Sequence, residues 1–334
     1  MDPVKRLDGL IPLIGKTPLL EIDFMFDGER KKIFAKAEYF NITGSIKDRV
    51  AYYIIKKGYE SGTLSAGDII AEATSGNTGI SFCALGRAMG HKVVIHMPDW
   101  MSSERVNLMK SFGAEVVMVS REEGGFLGAI AKTEELGTKC GYFLPRQFSN
   151  EDNTSAHYET TGAEIVAQLE QLGLKAGVFV AGVGTGGTVM GVGARLRKAN
   201  PACRVHPLEP ESSPTLSTGF CVGSHRIQGI SDEFIPELLR LKELSPIVTV
   251  DDGDAIMMAR MLSQRFGLGV GISSGANFLG LIAAGEGGGA SVTVFPDDNK
   301  KYLSTDYCDF EKVAMQEKYL SRRVELVCCK AYRC

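Results

Sequence analysis

Residues 176–188 read AGVFVAGVGTGGT and predict a strand, a glycine-rich turn and the first turn of a helix. The strand, Ala176–Gly182, is apolar throughout, as is typical of a strand covered on both faces in a parallel sheet. Glycines let the backbone turn tightly, and the free N–H groups at the start of a helix attract a phosphate. The segment therefore predicts an anion site. Its residues are Gly184, Thr185, Gly186, Gly187 and Thr188.

Two other interpretations of this turn stay open at this point. The stretch also fits the G-x-G-x-x-G pattern of dinucleotide-binding folds, and Glu209 ends the next predicted strand about 20 residues further on. A tight turn between strand and helix, with no ligand, is the other. The turn alone favours a phosphate and leaves the type of cofactor undecided.

The rest of the chain repeats this alternation of short apolar strands and helix-length segments. The pattern predicts an α/β fold with two interleaved lobes, in which mainly parallel sheets are flanked by helices. Because no repeat or Pro/Ser-rich linker divides the chain, we expect one lobe to be inserted into the other. Residues 47–150 are predicted to form a smaller lobe, and residues 1–46 with 151–334 the larger lobe. A final helix is predicted near Phe310–Tyr319, and the Cys328–Cys334 tail is expected to be mobile.

Composition and charge exclude several classes of protein. The 334 residues carry 37 Lys and Arg against 40 Asp and Glu, a net charge of −3, with no basic cluster, which argues against nucleic-acid binding. The chain has no run of about 18 apolar residues that would predict a membrane span. Its charged N-terminus lacks a secretory pattern, so we expect a cytoplasmic protein. The eight cysteines show no paired metal-binding spacing, and we predict no metal site.

A second junction between strand and helix reads Thr74-Ser-Gly-Asn-Thr-Gly79. Hydroxyl residues ahead of a helix N-terminus bring several O–H and N–H donors to one point, which suits a carboxylate. The alternative interpretation is an ordinary N-cap followed by a glycine turn.

Lys47 lies at the start of a helix predicted over Ser45–Ser61, where Ser45 reads as the N-cap and Asp48 takes the capping-box position. A cation in the first turn opposes the helix dipole, which favours a neutral amine if the side chain points inward. A neutral lysine is what Schiff-base chemistry requires, although a solvated surface lysine is the alternative. A phosphate site, a carboxylate site and a nucleophilic lysine are together what an amino-acid-processing pyridoxal phosphate (PLP) enzyme needs.

Across nearly its whole length the sequence resembles the PLP-dependent cysteine synthases (O-acetylserine sulfhydrylases) of the tryptophan-synthase-β fold type, which is PLP fold type II. The motifs that carry the resemblance are Gly15-Lys-Thr-Pro-Leu19, Lys36-Ala-Glu38, Ser45-Ile-Lys47-Asp-Arg49, Thr74-Ser-Gly-Asn-Thr-Gly79, Arg146-Gln147-Phe148-Ser-Asn150, Thr160-Thr-Gly-Ala-Glu164, Gly184-Thr-Gly-Gly-Thr188, His225-Arg-Ile-Gln-Gly229-Ile, Gly271-Ile-Ser-Ser-Gly275-Ala and Tyr302-Leu-Ser-Thr305. Cystathionine β-synthase and the threonine dehydratases share the fold, but Gln147-Phe148 and Gln228-Gly229-Ile230 are more similar to cysteine synthase.

By position, the resemblance implies a role for each candidate site residue. It makes Lys47 the Schiff-base lysine and places the cofactor phosphate at Gly184–Thr188 in the larger lobe. Asn77 would contact the ring hydroxyl. Ser273 would contact the pyridine nitrogen, with Ser274 as the alternative. The substrate carboxylate would be held by Thr74, Ser75, Thr78 and Gln147. The family carries out β-replacement at Cβ of serine- or cysteine-type amino acids, is commonly homodimeric and can bind serine acetyltransferase.

The chain departs from the family at one segment that matters for the reaction. Where cysteine synthases read Gly-Ala-Gly after Gln-Gly-Ile, this chain has Ser231-Asp232-Glu233. A carboxylate near Cβ would act as a general base on water and would repel hydrosulfide. We therefore hypothesise that Asp232 directs the chemistry towards L-cysteine plus water, giving L-serine and H₂S. Synthesis of L-cysteine from O-acetylserine and sulfide is the alternative reaction, and a surface cap or salt bridge is the alternative role of Asp232 and Glu233.

Two further classes of function are remote alternatives. A NAD-dependent oxidoreductase would use the glycine turn but leaves Lys47, the Thr74–Thr78 loop and Ser273 unexplained. A non-catalytic partner of serine acetyltransferase has no need of a Schiff-base lysine.

Overall fold

The computed structural model describes residues 2–220, 222–231 and 233–333. Its strands are β1 (Leu19–Phe26), β2 (Glu29–Ala37), β3 (Ile69–Ala73), β4 (Lys92–Pro98), β5 (Glu115–Val119), β6 (Tyr142–Phe143), β7 (Ala176–Gly182), β8 (Arg204–Pro210), β9 (Val248–Val250), β10 (Ala290–Phe295) and β11 (Val324–Tyr332). Its α-helices are α1 (Pro3–Asp8), α2 (Lys47–Ser61), α3 (Asn77–Met89), α4 (Ser103–Ser111), α5 (Gly125–Gly137), α6 (Glu151–Ala156), α7 (Gly162–Gln171), α8 (Gly187–Ala199), α9 (Thr215–Thr218), α10 (Asp252–Phe266) and α11 (Ile272–Ala284). A π-helical turn, His157–Thr161, joins α6 to α7.

The strands form two sheets. The larger has the order β11-β1-β2-β10-β7-β8-β9, in which β1 is antiparallel to both neighbours and the strands from β2 to β9 run parallel. The smaller, β5-β4-β3-β6, is wholly parallel. The predicted α/β class with mainly parallel sheets flanked by helices is confirmed.

Strand β7 shows why its sequence is apolar at every position. Val178 and Val180 pack into the hydrophobic cluster under α10 and α11, while Phe179 and Ala181 pack into the cluster under α7 and α8. Since successive side chains point to opposite faces, a strand covered on both sides needs no polar residue.

The smaller sheet has a hydrophobic cluster of its own. It contains Ile70 of β3 and Val50 of α2, and also Leu7 and Ile14 from the start of the chain. The lobe boundaries at residues 47 and 150 stay a prediction.

The predicted helix at Phe310–Tyr319 is wrong, because residues 310–319 form turns. The buried Arg260 side chain explains the difference, since its guanidinium donates hydrogen bonds to the backbone carbonyl groups of this region. The accepting carbonyls belong to Asp306, Tyr307, Asp309 and Val313, at 2.6 to 3.1 Å. Carbonyl groups that converge on one guanidinium are not aligned along a helix axis.

The expectation of a mobile tail at Cys328–Cys334 is also wrong for its described part. Cys328 and Cys329 lie in β11, which pairs with β1 at the edge of the larger sheet. The strand buries Val324 and Leu326 in the core, and this burial holds it in place. Among the described residues, no helix has the length and apolar character needed to cross a membrane.

Candidate active site

A cavity lies between the two sheets, where the loops after β3 and β7 meet. Ligands of open parallel sheets bind at the carboxyl ends of the strands, because the connecting loops gather there. The predicted site residues that line the cavity are Lys47, Thr74, Ser75, Asn77, Thr78, Gln147, Gly184, Thr185, Gly186, Thr188 and Ser273. Gly187 begins α8 directly behind the turn. Asp232 lies outside the described residues.

Lys47 is the first residue of α2. The N-cap of α2 is Ile46, so the prediction of Ser45 as N-cap is wrong by one residue. The Ser45 hydroxyl accepts the Lys47 backbone N–H at 3.3 Å. The second half of the predicted capping box is wrong. The Asp48 carboxylate instead accepts the N–H and the hydroxyl of Thr43, at 2.8 and 2.6 Å. Asp48 therefore ties the preceding loop to the helix that carries Lys47.

Arg49, two residues after Lys47, is buried between two carboxylates. Its guanidinium donates to Glu38 at 2.7 and 2.8 Å and to Glu164 at 2.6 and 2.8 Å. Lys36 adds a second cation, 2.8 Å from Glu164. Two positive and two negative charges thus balance in the interior, and they fix the start of α2 to β2 and α7. This network positions the backbone of Lys47.

The pH dependence of stability should report this network. Burial raises the pKa of Glu164, but Arg49 and Lys36 outweigh burial and lower it from 4.5 to about 2. Because the folded-state pKa lies below the unfolded one, the carboxylate stabilises the fold above pH 4.5 and loses that contribution as the pH falls towards 2. Protonation of this carboxylate at low pH should lower the unfolding free energy of the wild type by roughly 3 kcal/mol. The variant Glu164→Gln is expected not to show that loss.

Urea denaturation of the two proteins across the acid range measures this difference. Glu170→Gln, which changes an exposed glutamate on the same helix, is the control and should keep the wild-type pH profile. If Glu164→Gln also keeps that profile, the network is not the source of the acid sensitivity.

The turn at Gly184–Thr188 needs its glycines for geometric reasons. Gly186 has φ of +85°, a left-handed conformation that side chains disfavour. A Cβ on Gly184 would collide with the Gly229 carbonyl, and one on Gly187 with the Asn153 side chain. The amide groups of residues 184–186 find no acceptor among the described residues, so they are available to an anion.

Two residues that sequence reasoning missed support this turn. Asn153 donates to the Thr185 hydroxyl at 2.9 Å, and His157 Nε2 lies 3.3 Å from the Thr188 hydroxyl. Burial, with the charges of Lys47 and Arg49, lowers the pKa of His157 well below its usual value, so the ring is neutral. Neither residue stands in a local pattern that would have marked it.

The loop after β3 holds several hydrogen-bonding side chains close together. The Thr78 hydroxyl donates to Gln147 Oε1 at 2.5 Å, and Gln147 Nε2 donates to the Ala73 carbonyl at 2.7 Å. The Thr74 hydroxyl accepts the Gly76 N–H at 3.0 Å. Gln147, from a distant part of the chain, therefore holds in one conformation the loop that was predicted to bind a carboxylate.

Arg105 is a further cavity residue that sequence reasoning missed. It is buried on α4, and its guanidinium donates to the Gln228 amide oxygen and, at 3.1 Å, to the Ser102 hydroxyl. Its stem fills the space beside Gly76, where a Cβ would collide with it. No carboxylate of a described residue lies within 4 Å as a salt-bridge partner. A buried cation at the cavity wall without such a partner suits an anionic group of a substrate.

Asn77 and Ser273 lie on the side of the cavity where the resemblance places the cofactor ring. Asn77 Nδ2 donates to Asp297 at 2.8 Å, while its buried Oδ1 has no partner among the described residues. Ser273 lines the cavity, whereas the fully buried Ser274 does not. Ser273 thus faces the cavity, and its contact with the ring nitrogen stays a prediction.

The residues on both sides of position 232 lie at the cavity mouth. The Ser231 N–H donates to the Val183 carbonyl at 2.7 Å. Glu233 lines an adjoining wider cavity, beside Trp100. The ring of Phe234 lies 5.0 Å from that of Phe148, edge to face. These contacts connect the segment to elements on both sides of the cleft.

The residues present fit PLP, the cofactor that the resemblance implies. The turn at 184–188 offers amide donors and two hydroxyls for a phosphate, and Lys47 offers the amine. The unpartnered Asn77 Oδ1 and the Ser273 hydroxyl offer polar atoms for the ring. Among the described residues, no three His, Cys, Asp or Glu side chains are grouped to hold a metal.

Comparison with known proteins agrees with this site. Residues 10–297 match the family described as pyridoxal-phosphate dependent enzyme. A cysteine synthase of Staphylococcus aureus is 40% identical over 310 residues, covering 92% of this chain and 99% of that protein. The crystal structure of a hydrogen sulfide-producing enzyme from Fusobacterium nucleatum is 52% identical, with a TM-score of 0.94 and 99% coverage of both chains. An aspartate-to-asparagine mutant of a hydrogen sulfide-producing enzyme, in complex with an α-aminoacrylate intermediate, is 52% identical with a TM-score of 0.95, over 99% of this chain and 100% of that one.

Proposed function

We propose that this chain, which belongs to the family of pyridoxal-phosphate dependent enzymes, converts L-cysteine and water into L-serine and hydrogen sulfide. It is a PLP-dependent enzyme of the cysteine synthase family and carries out β-replacement in cysteine and sulfide metabolism. The proposed part is the choice of leaving group and nucleophile. In the reaction the Cβ–S bond breaks, a Cβ–O bond to water forms, and sulfur leaves as H₂S.

The observation that carries the proposal is the position of Ser231 and Glu233, the described neighbours of Asp232, at the cavity mouth. Ser231 and Glu233 line the wider cavity that opens beside the predicted carboxylate site, and Asp232 stands between them in the chain. A carboxylate there is suited to take a proton from water, and it disfavours the approach of hydrosulfide. The 52% identical relative that produces hydrogen sulfide supports sulfide release.

In this proposal each residue has one task. PLP, when bound, supplies an aldehyde that combines with amines and a ring that accepts electrons from Cα. The turn at Gly184–Thr188 holds its phosphate, and Asn77 and Ser273 orient its ring. Lys47 Nζ carries the cofactor and moves the Cα proton, which it can do because α2 is fixed by Arg49.

The remaining residues act on the substrate. Thr74, Ser75, Thr78 and Gln147 hold its carboxylate and so orient the Cα–H bond towards Lys47. Asp232 takes a proton from the water that attacks Cβ and passes one to the departing sulfur.

The variant Asp232→Asn tests the proposal. We expect serine formation and sulfide release from L-cysteine to fall on the order of 100-fold, because the variant removes the general base. Glu233→Gln is the matched control, and it should retain most of the activity. Amino-acid analysis and sulfide detection are made with L-cysteine, O-acetylserine and O-phosphoserine, with and without sulfide.

A cysteine synthase reaction is the second candidate, since a 40% identical relative carries that name. If the wild type makes no serine from L-cysteine but makes L-cysteine briskly from O-acetylserine and sulfide, the proposed direction is wrong and this candidate replaces it.

The proposal extends to the oligomeric state, the partner and the cellular location of the protein. We propose a homodimer in the cytoplasm that acts on a small amino acid, with residues 47–150 moving over the substrate. Sedimentation of the purified protein, with and without serine acetyltransferase, tests the homodimer and that enzyme as a partner.

A further inference from the structure

Asp297 is a buried carboxylate directly behind the cavity. It follows β10, and only 1% of its surface is exposed. Its Oδ2 accepts two hydrogen bonds, from Asn77 Nδ2 at 2.8 Å and from the Tyr302 hydroxyl at 2.7 Å. Its Oδ1 is buried without a partner among the described residues. A buried carboxylate oxygen without a partner is costly and calls for a physical explanation.

Among the described residues, no cation contacts Asp297 directly. No described lysine or arginine forms a salt bridge with it, and the nearby Lys301 is turned to Asp298, at 3.4 Å, and to the Gly44 carbonyl. Burial, together with the charge of Asp297, raises the pKa of Tyr302 well above its usual value, so that residue donates as a neutral hydroxyl. The Arg105 guanidinium lies 4.7 Å from the centre of the Tyr302 ring, and it opposes part of this rise in the pKa of Tyr302.

The carboxylate also packs against the helix that carries Ser273. A Cβ on Gly271, the residue before α11, would collide with Asp297 Oδ1. The Gly271 N–H donates to the Asp297 carbonyl at 2.9 Å. Asp297 therefore lies behind both side chains that the proposed function places at the cofactor ring, Asn77 and Ser273.

We infer that Asp297 is a positioning residue that acts through Asn77 to draw the proton shared between the ring oxygen of the cofactor and the nitrogen of Lys47 towards the ring oxygen. The inference rests on the proposed cofactor site. A negative charge favours the protonated form of the nearer of two groups. Asn77 donates to the carboxylate, and the resemblance places the same Asn77 side chain at the ring oxygen. The hydrogen bond also holds the Asn77 amide in one orientation, because a carboxylate only accepts.

The test compares Asp297→Asn with Asp298→Asn in the cofactor-loaded protein at one fixed pH. The two variants remove one carboxylate each from adjacent positions, but Asp298 contacts Lys301 and not Asn77. The readout is the ratio of the two cofactor absorption bands, of which the shorter-wavelength band has the proton on the ring oxygen. We expect Asp297→Asn to shift the ratio towards the longer-wavelength band on the order of threefold, and Asp298→Asn to leave it at the wild-type value.

An unchanged ratio in Asp297→Asn, or an equal shift in both variants, overturns the inference while the proposed function stands. A wild type that shows no cofactor bands after incubation with PLP overturns the proposed function itself. If Asp297→Asn does not load the cofactor, Tyr302→Phe decides. It removes a donor to Asp297 and keeps the charge, so the ratio should move towards the shorter-wavelength band, and no movement contradicts the inference.

Discussion

Replacing Lys47 by alanine is expected to abolish both turnover and covalent attachment of the cofactor. Lys47 is the one lysine among the residues lining the described part of the reaction cavity, at the start of the helix fixed by the Arg49 network. Losing the amine removes the group that carries PLP and the base that moves the Cα proton. Since a positioned base alone contributes about 10²- to 10⁴-fold, we expect at least a 10³-fold fall in product formation.

Two measurements check this prediction. Sulfide release gives the rate, and borohydride reduction followed by peptide mass spectrometry locates the attached cofactor. Lys57→Ala, on the same helix but paired with Glu60 at the surface, is the control and should behave as wild type. A Lys47→Ala protein that still fixes PLP after reduction would show that another lysine is the attachment site.

Replacing Arg49 by methionine is expected to lower the free energy of unfolding by about 3 to 5 kcal/mol, even without cofactor. Methionine fills much of the space but leaves the carboxylates of Glu38 and Glu164 without their main cation in the interior. In the described part of the chain, Lys36 forms its salt bridge with Glu164, and it acts on Glu38 only from a longer distance. It therefore replaces Arg49 at Glu38 only in part. A protein that fails to fold at all agrees with the same explanation.

Urea denaturation of the cofactor-free proteins measures the loss. The matched control is Arg240→Met, since Arg240 makes ion pairs with Glu151 and Glu243 at the surface, and we expect it to cost less than about 1 kcal/mol. If the two variants are equally stable, burial of the Arg49 network contributes nothing beyond an ordinary surface pair.

The elements at the site were predicted well where local sequence decides them. Strand Ala176–Gly182 has the predicted bounds, because continuous apolar residues followed by glycines leave few other conformations. Helix α2 begins at Lys47, two residues after the predicted start at Ser45, and its N-cap is Ile46. Helix α11, which is not among the predicted elements, packs its buried residues with those of α10 in one hydrophobic cluster.

The edge strand β11, by contrast, could not be predicted from local sequence. Residues 324–332 form β11 because β1 offers an unpaired edge, and nothing within their own sequence distinguishes a strand from a loose tail. The carbonyl groups of residues 306–313 turn towards Arg260 for a similar reason, since their partner stands about 50 residues earlier in the chain.

The sequence by itself determined the α/β class, the glycine turn and the positions of the candidate lysine and carboxylate loop, because these depend on residues close together in the chain. Only the tertiary structure decided what stands behind them. Arg49 between Glu38 and Glu164, His157 beside Thr188, Arg105 at the wall and Asp297 behind Asn77 are contacts between distant segments. Charges and hydrogen bonds are much stronger in the interior than in water, and only the assembled fold decides which of them are buried.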